Sequence, residues 1–285
     1  MESVVLLPPS PTQPRLSNRR RTKRLVGLLA LLVVFAGCRT PPKTFATLDV
    51  PPAPAAVEPL LFEGEGAPAD DDPLVQELVA LRGTIERELQ LPSSNRRVHV
   101  HVFADETSYR EFTRQSFPEL ADRRALFVEV GGLLNVFTRW GNETAEDLRH
   151  EVTHGYLHAS LSGLPLWLDE GLAEFYEVPP AAAGWNAPHA ARLSNLHAAG
   201  NWRPDLERLE QLDRPGDMQQ VDYAEAWAWS YWMLKGSPEA REVLLEYLRD
   251  ARTEVPNPPL SARLAARLEF EGGLQVIELV RATPR

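Results

Sequence analysis

TAEDLRHEVTHGYLHASLSGLPLWLDEGLAEFYE, residues 144–177, is the stretch on which the reading of this chain turns. Within it, His150-Glu151-Val152-Thr153-His154 sets two histidines four residues apart with a glutamate directly after the first. On a helix, side chains at i and i+4 share a face with Cβ atoms about 5–6 Å apart, so two imidazoles placed this way can share one metal ion. The segment has helical signals. Thr144-Ala145-Glu146-Asp147 offers a capping-box start, Leu148, Val152, Tyr156 and Ala159 recur as a buried stripe, and Gly163-Leu164-Pro165 ends it. A second helix then begins and carries Glu170, a carboxylate 16 residues after His154. Two histidines and one glutamate leave a zinc ion an open fourth position for water.

These residues resemble the gluzincins, the thermolysin-like and aminopeptidase-like branch of zinc peptidases, in which the HExxH pair is followed by a glutamate in an E-G-[FL]-A pattern. Glu170-Gly171-Leu172-Ala173 matches that pattern. Closer still is the resemblance to an uncharacterised peptidase-like family of the form HEATH followed by P-x-W-L-x-E-G-L-A-x-Y-F-E, met here at His150 to His154 and at Pro165 to Glu177. The similarity extends more faintly from the strand at Val98 to the helix at Tyr223. The metzincin branch is excluded, because it requires glycine at 157 and histidine at 160, where this chain has Leu157 and Ser160.

The resemblance implies a zincin-like fold, a Zn2+ ion held by His150, His154 and Glu170, and Glu151 as the base that activates water. Glu174, one helical turn beyond Glu170, is placed to fix the second ring nitrogen of a ligating histidine, the alternative being a solvated surface glutamate. Tyr223 is the candidate oxyanion donor, because its helix is similar to the one after the active site in the peptidase-like family. Tyr223, Trp227 and Leu234 also fit a helical core stripe, so plain packing stays open. His158 shares the face of His154 and is read as a supporting or packing residue rather than a third histidine ligand. His189 and His197 are read as surface or packing histidines.

Around this centre the pattern is α+β, with a small N-terminal sheet followed by a mainly helical C-terminal part. Leu74, Val75, Leu78, Val79, Leu81, Ile85 and Leu89 predict a helix over about 73–90 behind the acidic run Asp70 to Asp72. Val98, Val100 and Val102 alternate with His99 and His101, which predicts a strand whose histidines face away from the core. A short helix from Glu106 to Gln115 follows, then a hairpin in which Gly131-Gly132 joins two apolar runs, its edge able to pair with an extended peptide. The segment from Val178 to Pro188, rich in proline, reads as a loop bordering the cleft.

The N-terminus reads as an address rather than as fold. Six basic residues between Arg15 and Arg24 precede an apolar run from Leu25 to Ala36, too short for the roughly 20 residues of a spanning helix. Val34-Phe35-Ala36-Gly37-Cys38 resembles the lipobox of bacterial lipoproteins, with Phe35 at the usual leucine position, and so implies a lipid on Cys38 and a membrane-anchored protein of the cell envelope. Cys38 is the only cysteine, which excludes an intrachain disulfide and a cysteine-based zinc site. Residues 39–72, rich in proline, read as a tether, leaving 73–285 as the zincin-like domain. The net charge of −10 falls to −15 once residues 1–37, with six basic residues and one acidic, are removed. Such a surface repels phosphate backbones, so nucleic acid is excluded as a partner, and no phosphate-binding loop is present.

The function expected is therefore zinc-dependent hydrolysis of peptide bonds in a peptide or protein substrate at the cell envelope, by an endopeptidase or aminopeptidase of gluzincin type. The rival expectation is an inactive zincin-fold lipoprotein serving in binding or envelope assembly.

Overall fold

The alternating valines of β2 (Val98–Phe103) form the middle of a four-stranded sheet in the computed structural model, which describes residues 58–253, 257–268 and 272–282. The signal segment with Cys38 and most of the tether lie outside the described residues. No helix among the described residues is long and apolar enough to cross a membrane.

In chain order the other elements are β1 (Leu60–Glu63), α1 (Pro73–Glu88), α2 (Glu106–Ser116), β3 (Leu126–Val130), β4 (Leu133–Arg139), α3 (Thr144–Ser160), α4 (Leu166–Tyr176), α5 (Ala187–Ala198), α6 (Leu206–Leu209), α7 (Gln220–Tyr231), α8 (Pro238–Asp250), α9 (Leu260–Arg267) and α10 (Gly272–Arg281). A π-helical turn, Trp232–Gly236, links α7 to α8. The fold is mixed α+β and mainly helical, and everything described after Arg139 is helix or connection.

The strand order is β1-β2-β4-β3, with β1 and β4 parallel to β2 and β3 antiparallel to β4. Val98, Val100 and Val102 are fully buried, each contributing roughly 1.5–3 kcal/mol of transfer free energy. His99 and His101 point the other way, as the alternation requires. The Gly131-Gly132 turn has positive φ at both positions (61° and 81°), the geometry that matches the twist of a two-residue hairpin.

Three boundaries differ from the sequence reading. Leu60–Glu63, assigned to the tether, is strand β1, paired in register with Val98–His101. Proline content dominated that stretch in sequence, whereas the open side of β2 recruits its short apolar run through a non-local pairing. The predicted capping box at Thr144 is also absent. Thr144 is already helical, its hydroxyl accepts from the Gly141 N–H at 2.7 Å, and Glu143 is the N-cap residue with no side-chain cap bond. α5 begins at Ala187, which shortens the loop expected to run to Pro188.

α3 is buried all round. Every residue from Asp147 to His158 is inside, as befits a helix with the sheet on one side and α4 on another. Small residues set both distances. A methyl group at Gly155 would lie 2.6 Å from Val98 Cγ2, so glycine lets α3 lie directly on β2. On α4, a methyl group at Gly171 would fall on the Ala226 carbonyl oxygen and 2.5 Å from Ser230 Oγ, so α4 and α7 touch backbone to backbone there. Gly171→Ala is expected to lower stability by about 1–3 kcal/mol through overpacking, read as a lower urea midpoint; an unchanged midpoint would mean that the helices separate without cost.

Candidate metal centre

His150 and His154 sit one turn apart on α3, and their Nε2 atoms are 3.2 Å from each other. Glu170, brought up by α4, places Oε2 at 3.5 Å from His150 Nε2 and 3.6 Å from His154 Nε2. All three residues have no exposure to solvent. Neither oxygen of Glu170 has a hydrogen-bond donor, which for a buried carboxylate calls for a cation. The three atoms fit one: a triangle with these sides has its corners about 2.0 Å from a common centre, the length of a zinc–nitrogen or zinc–oxygen bond. The cluster could therefore hold a metal ion.

Each histidine is held from behind by a second carboxylate. His150 Nδ1 donates to Glu177 Oε2 at 2.9 Å, and His154 Nδ1 lies 3.1 Å from Asp169 Oδ2. The Glu177 bond turns the His150 Nε2 toward the common centre, as a metal-ligating histidine needs, and Asp169 stands at ion-pair distance behind His154. The carboxylates in contact with the outer ring nitrogens are thus Glu177 and Asp169. Glu174 instead shares a 2.6 Å hydrogen bond with His189 of α5, although its carboxylate stays close to His150 and Glu177. Asp169 is hard to foresee because neighbours on a helix point about 100° apart; the two nitrogens of one imidazole also point in different directions, and this lets adjacent carboxylates serve both sides of His154.

Asp169 is itself tied outward. His158 Nε2 donates to the same Oδ2 at 3.1 Å, and His158 Nδ1 lies 3.3 Å from Glu129 Oε2 on β3. Arg96 closes the line, bonding Glu129 at 2.6 Å, the His158 carbonyl at 2.6 Å and the Gly132 carbonyl at 2.9 Å. Phe127 of β3 packs on both His154 and His158, with centroids 6.0 and 5.1 Å away. His158 thus lies between Asp169 and Glu129, one turn beyond His154 on the same helix.

Burial works against a charged imidazole, yet in the metal-free site the neighbouring carboxylates prevail. Asp169 and Glu170 push His154 up to about 10, and Asp169 and Glu129 push His158 up to about 9. His150 is raised too, because the Glu170 and Glu177 carboxylates beside it outweigh its burial. Burial, and then the Glu174 charge, push Glu177 up to about 7.

Glu151, between the two ligands in sequence, is 1% exposed. Its charge reaches Tyr109 of α2, whose hydroxyl is pushed well above the ordinary range mainly by burial and then by Glu151. One turn earlier Asp147 is pushed up to about 6 by burial while Arg124, 2.8 Å away, pulls it back. Tyr223 is buried on α7 within the main hydrophobic core, the packing position left open by the sequence. His197 is half-buried at the end of α5, its ring near Trp202. A cleft beside the cluster, about 440 Å³, is lined by Arg124, Glu146, Glu174, Glu177, Trp185 and His189 among others, so the segment after α4 does border an opening.

Residues 145–258 match the model of a family described as a protein of unknown function, DUF1570. No curated protein matches the chain. The match starts at the second residue of α3 and takes in both helices of the cluster, α3 and α4.

Metal uptake should displace protons from both rings, so apparent zinc affinity is expected to fall as pH drops from about 8 to about 6; chelator competition in two buffers measures it, and a flat profile would contradict protonated apo rings. Asp169→Asn is expected to weaken zinc binding by about 10–100-fold, while a variant with unchanged affinity would show that the contact to His154 holds nothing.

Proposed function

We propose that this chain is a zinc-dependent peptidase of gluzincin type with a zincin-like fold, acting on peptide or protein substrates at the cell envelope, where a lipid on Cys38 anchors it. The observation that carries the reading is the convergence of His150, His154 and Glu170 on one point, with Glu151 on the same helix. Residues 150–154 and 170–173 resemble the HExxH and E-G-[FL]-A patterns of gluzincins.

Zinc bound by these three residues would polarise a substrate carbonyl and lower the pKa of water from 15.7 toward about 7. The protein's own groups do the rest. Glu151 takes the proton from the attacking water and delivers it to the leaving amine. Asp169 and Glu177 keep the two imidazoles in the tautomer that presents Nε2 inward. Tyr223 is proposed to donate to the oxygen that gains charge as the carbonyl becomes tetrahedral.

One observation favours a second reading. The three proposed ligands and Glu151 are at most 1% exposed, so the scaffold could hold metal without admitting a peptide, as a binding or assembly lipoprotein would. Glu151→Gln separates the two. It is expected to cut hydrolysis of a peptide library by about 10²–10⁴-fold while zinc, measured by mass spectrometry, stays bound. His154→Ala is expected to lose both. Full turnover in Glu151→Gln would refute the base assignment, and a library untouched by the zinc-loaded protein would favour the second reading.

A further inference from the structure

His99 and His101 take no part in the centre described above. They project from the sheet face opposite α3, and the register sets Glu63 of β1 beside His101. The Glu63 carboxylate spans both rings, with Oε1 3.5 Å from His99 Nδ1 and Oε2 3.4 Å from His101 Nδ1. On the far side of its ring, His101 Nε2 is 3.2 Å from Asn135 Oδ1.

Asn135 decides which way the His101 proton points. Its Nδ2 donates to the Leu133 carbonyl at 3.1 Å and to the Val128 carbonyl at 3.4 Å, which leaves Oδ1 as the atom facing the imidazole. An amide oxygen only accepts, so His101 donates through Nε2. A neutral His101 then turns the Nδ1 lone pair toward a carboxylate oxygen, acceptor against acceptor, and a positive charge between them removes the conflict. The arrangement is that of a metal-binding histidine, with one nitrogen committed to an acceptor behind it and the other offered in front.

We propose that Glu63, His99 and His101 form a second, surface site for a divalent transition-metal ion such as Zn2+ or Cu2+. Each imidazole nitrogen lies 3.4 or 3.5 Å from its own oxygen of Glu63, close to the roughly 3.3–3.4 Å between two ligands on a tetrahedral zinc, so the carboxylate already pairs with each ring separately and the three groups meet at one ion only after a side-chain shift. Two imidazoles and a carboxylate suit zinc and copper rather than calcium or magnesium. The His99 and His101 rings are nearly parallel, 17° apart, with centroids 6.4 Å from each other, so they must lean together to share an ion. Phe137 stacks on His101 at 4.7 Å and holds it, so His99 is the ring that swings. The side chains are 26%, 28% and 42% exposed for His99, His101 and Glu63, which gives an ion a direct path from solvent and leaves water on its remaining positions. This site lies on the other face of the sheet and owes nothing to the peptidase reading.

The test is calorimetric titration of the metal-free full chain with zinc, with Cu2+ electron paramagnetic resonance as the reporter of nitrogen ligation. The full chain is expected to show two classes of zinc site. His99→Ala and His101→Ala each lose the weaker class and the copper–nitrogen signal while keeping the tighter one, and Glu63→Gln weakens the same class. Unchanged stoichiometry in both histidine variants would overturn the proposal. So would a His101 proton titration, followed by nuclear magnetic resonance, that excess zinc does not displace, since a proton alone would then fill the gap. A failed buried centre removes the tighter class and leaves the weaker, so the two readings fail separately.

Discussion

A carboxylate cannot remain charged inside a protein unless donors or a cation meet it, and Glu170 sits at zero exposure with only two imidazole nitrogens before it. The surrounding architecture answers that constraint. α3 has no exposed face through its middle, so every polar group on it needs a named partner. Thr153 donates to the Arg149 carbonyl at 2.7 Å. Arg149 reaches the Glu177 carbonyl and, at 3.0 Å, Glu77 on α1. His150, His154 and His158 are met by Glu177, Asp169 and Glu129. Removing Glu177 would leave the buried Nδ1 of His150 without its acceptor, which is why the site and the core are the same object here.

What sequence could reveal about this centre followed from locality. His150 and His154 are one turn apart, and α4 is the next element along the chain, so the ligand set needed only two helices and one connection. The assignments that went astray involved choices between near neighbours. Helical spacing pointed to Glu174, four residues past Glu170, whereas α4 runs on so that Glu177 meets His150 and Glu174 meets His189 from α5. Strand β1 was hidden for a different reason: four residues among prolines carry little periodicity, and their partner in β2 lies nearly forty positions away. The hairpin and the outward histidines of β2 were legible because alternation is a property of the strand itself.

The family match starts at α3 and so covers the helices that supply His150, His154 and Glu170, but not the sheet. Two of the groups that shape the centre, Phe127 and Glu129, come from β3, outside that span. The helical half therefore carries the His150, His154 and Glu170 cluster, and the sheet adds the packing against His154 and the outer end of the polar line through His158.

Arg96 joins stretches that are remote in sequence: the carbonyl at the turn of the β3–β4 hairpin, the Glu129 carboxylate on β3, and the backbone near the end of α3. A three-point brace of this kind couples rigidity to position. The hairpin turn is thereby tied to the helix that carries both imidazoles, so the rim of the sheet and the far end of that helix share one anchoring side chain.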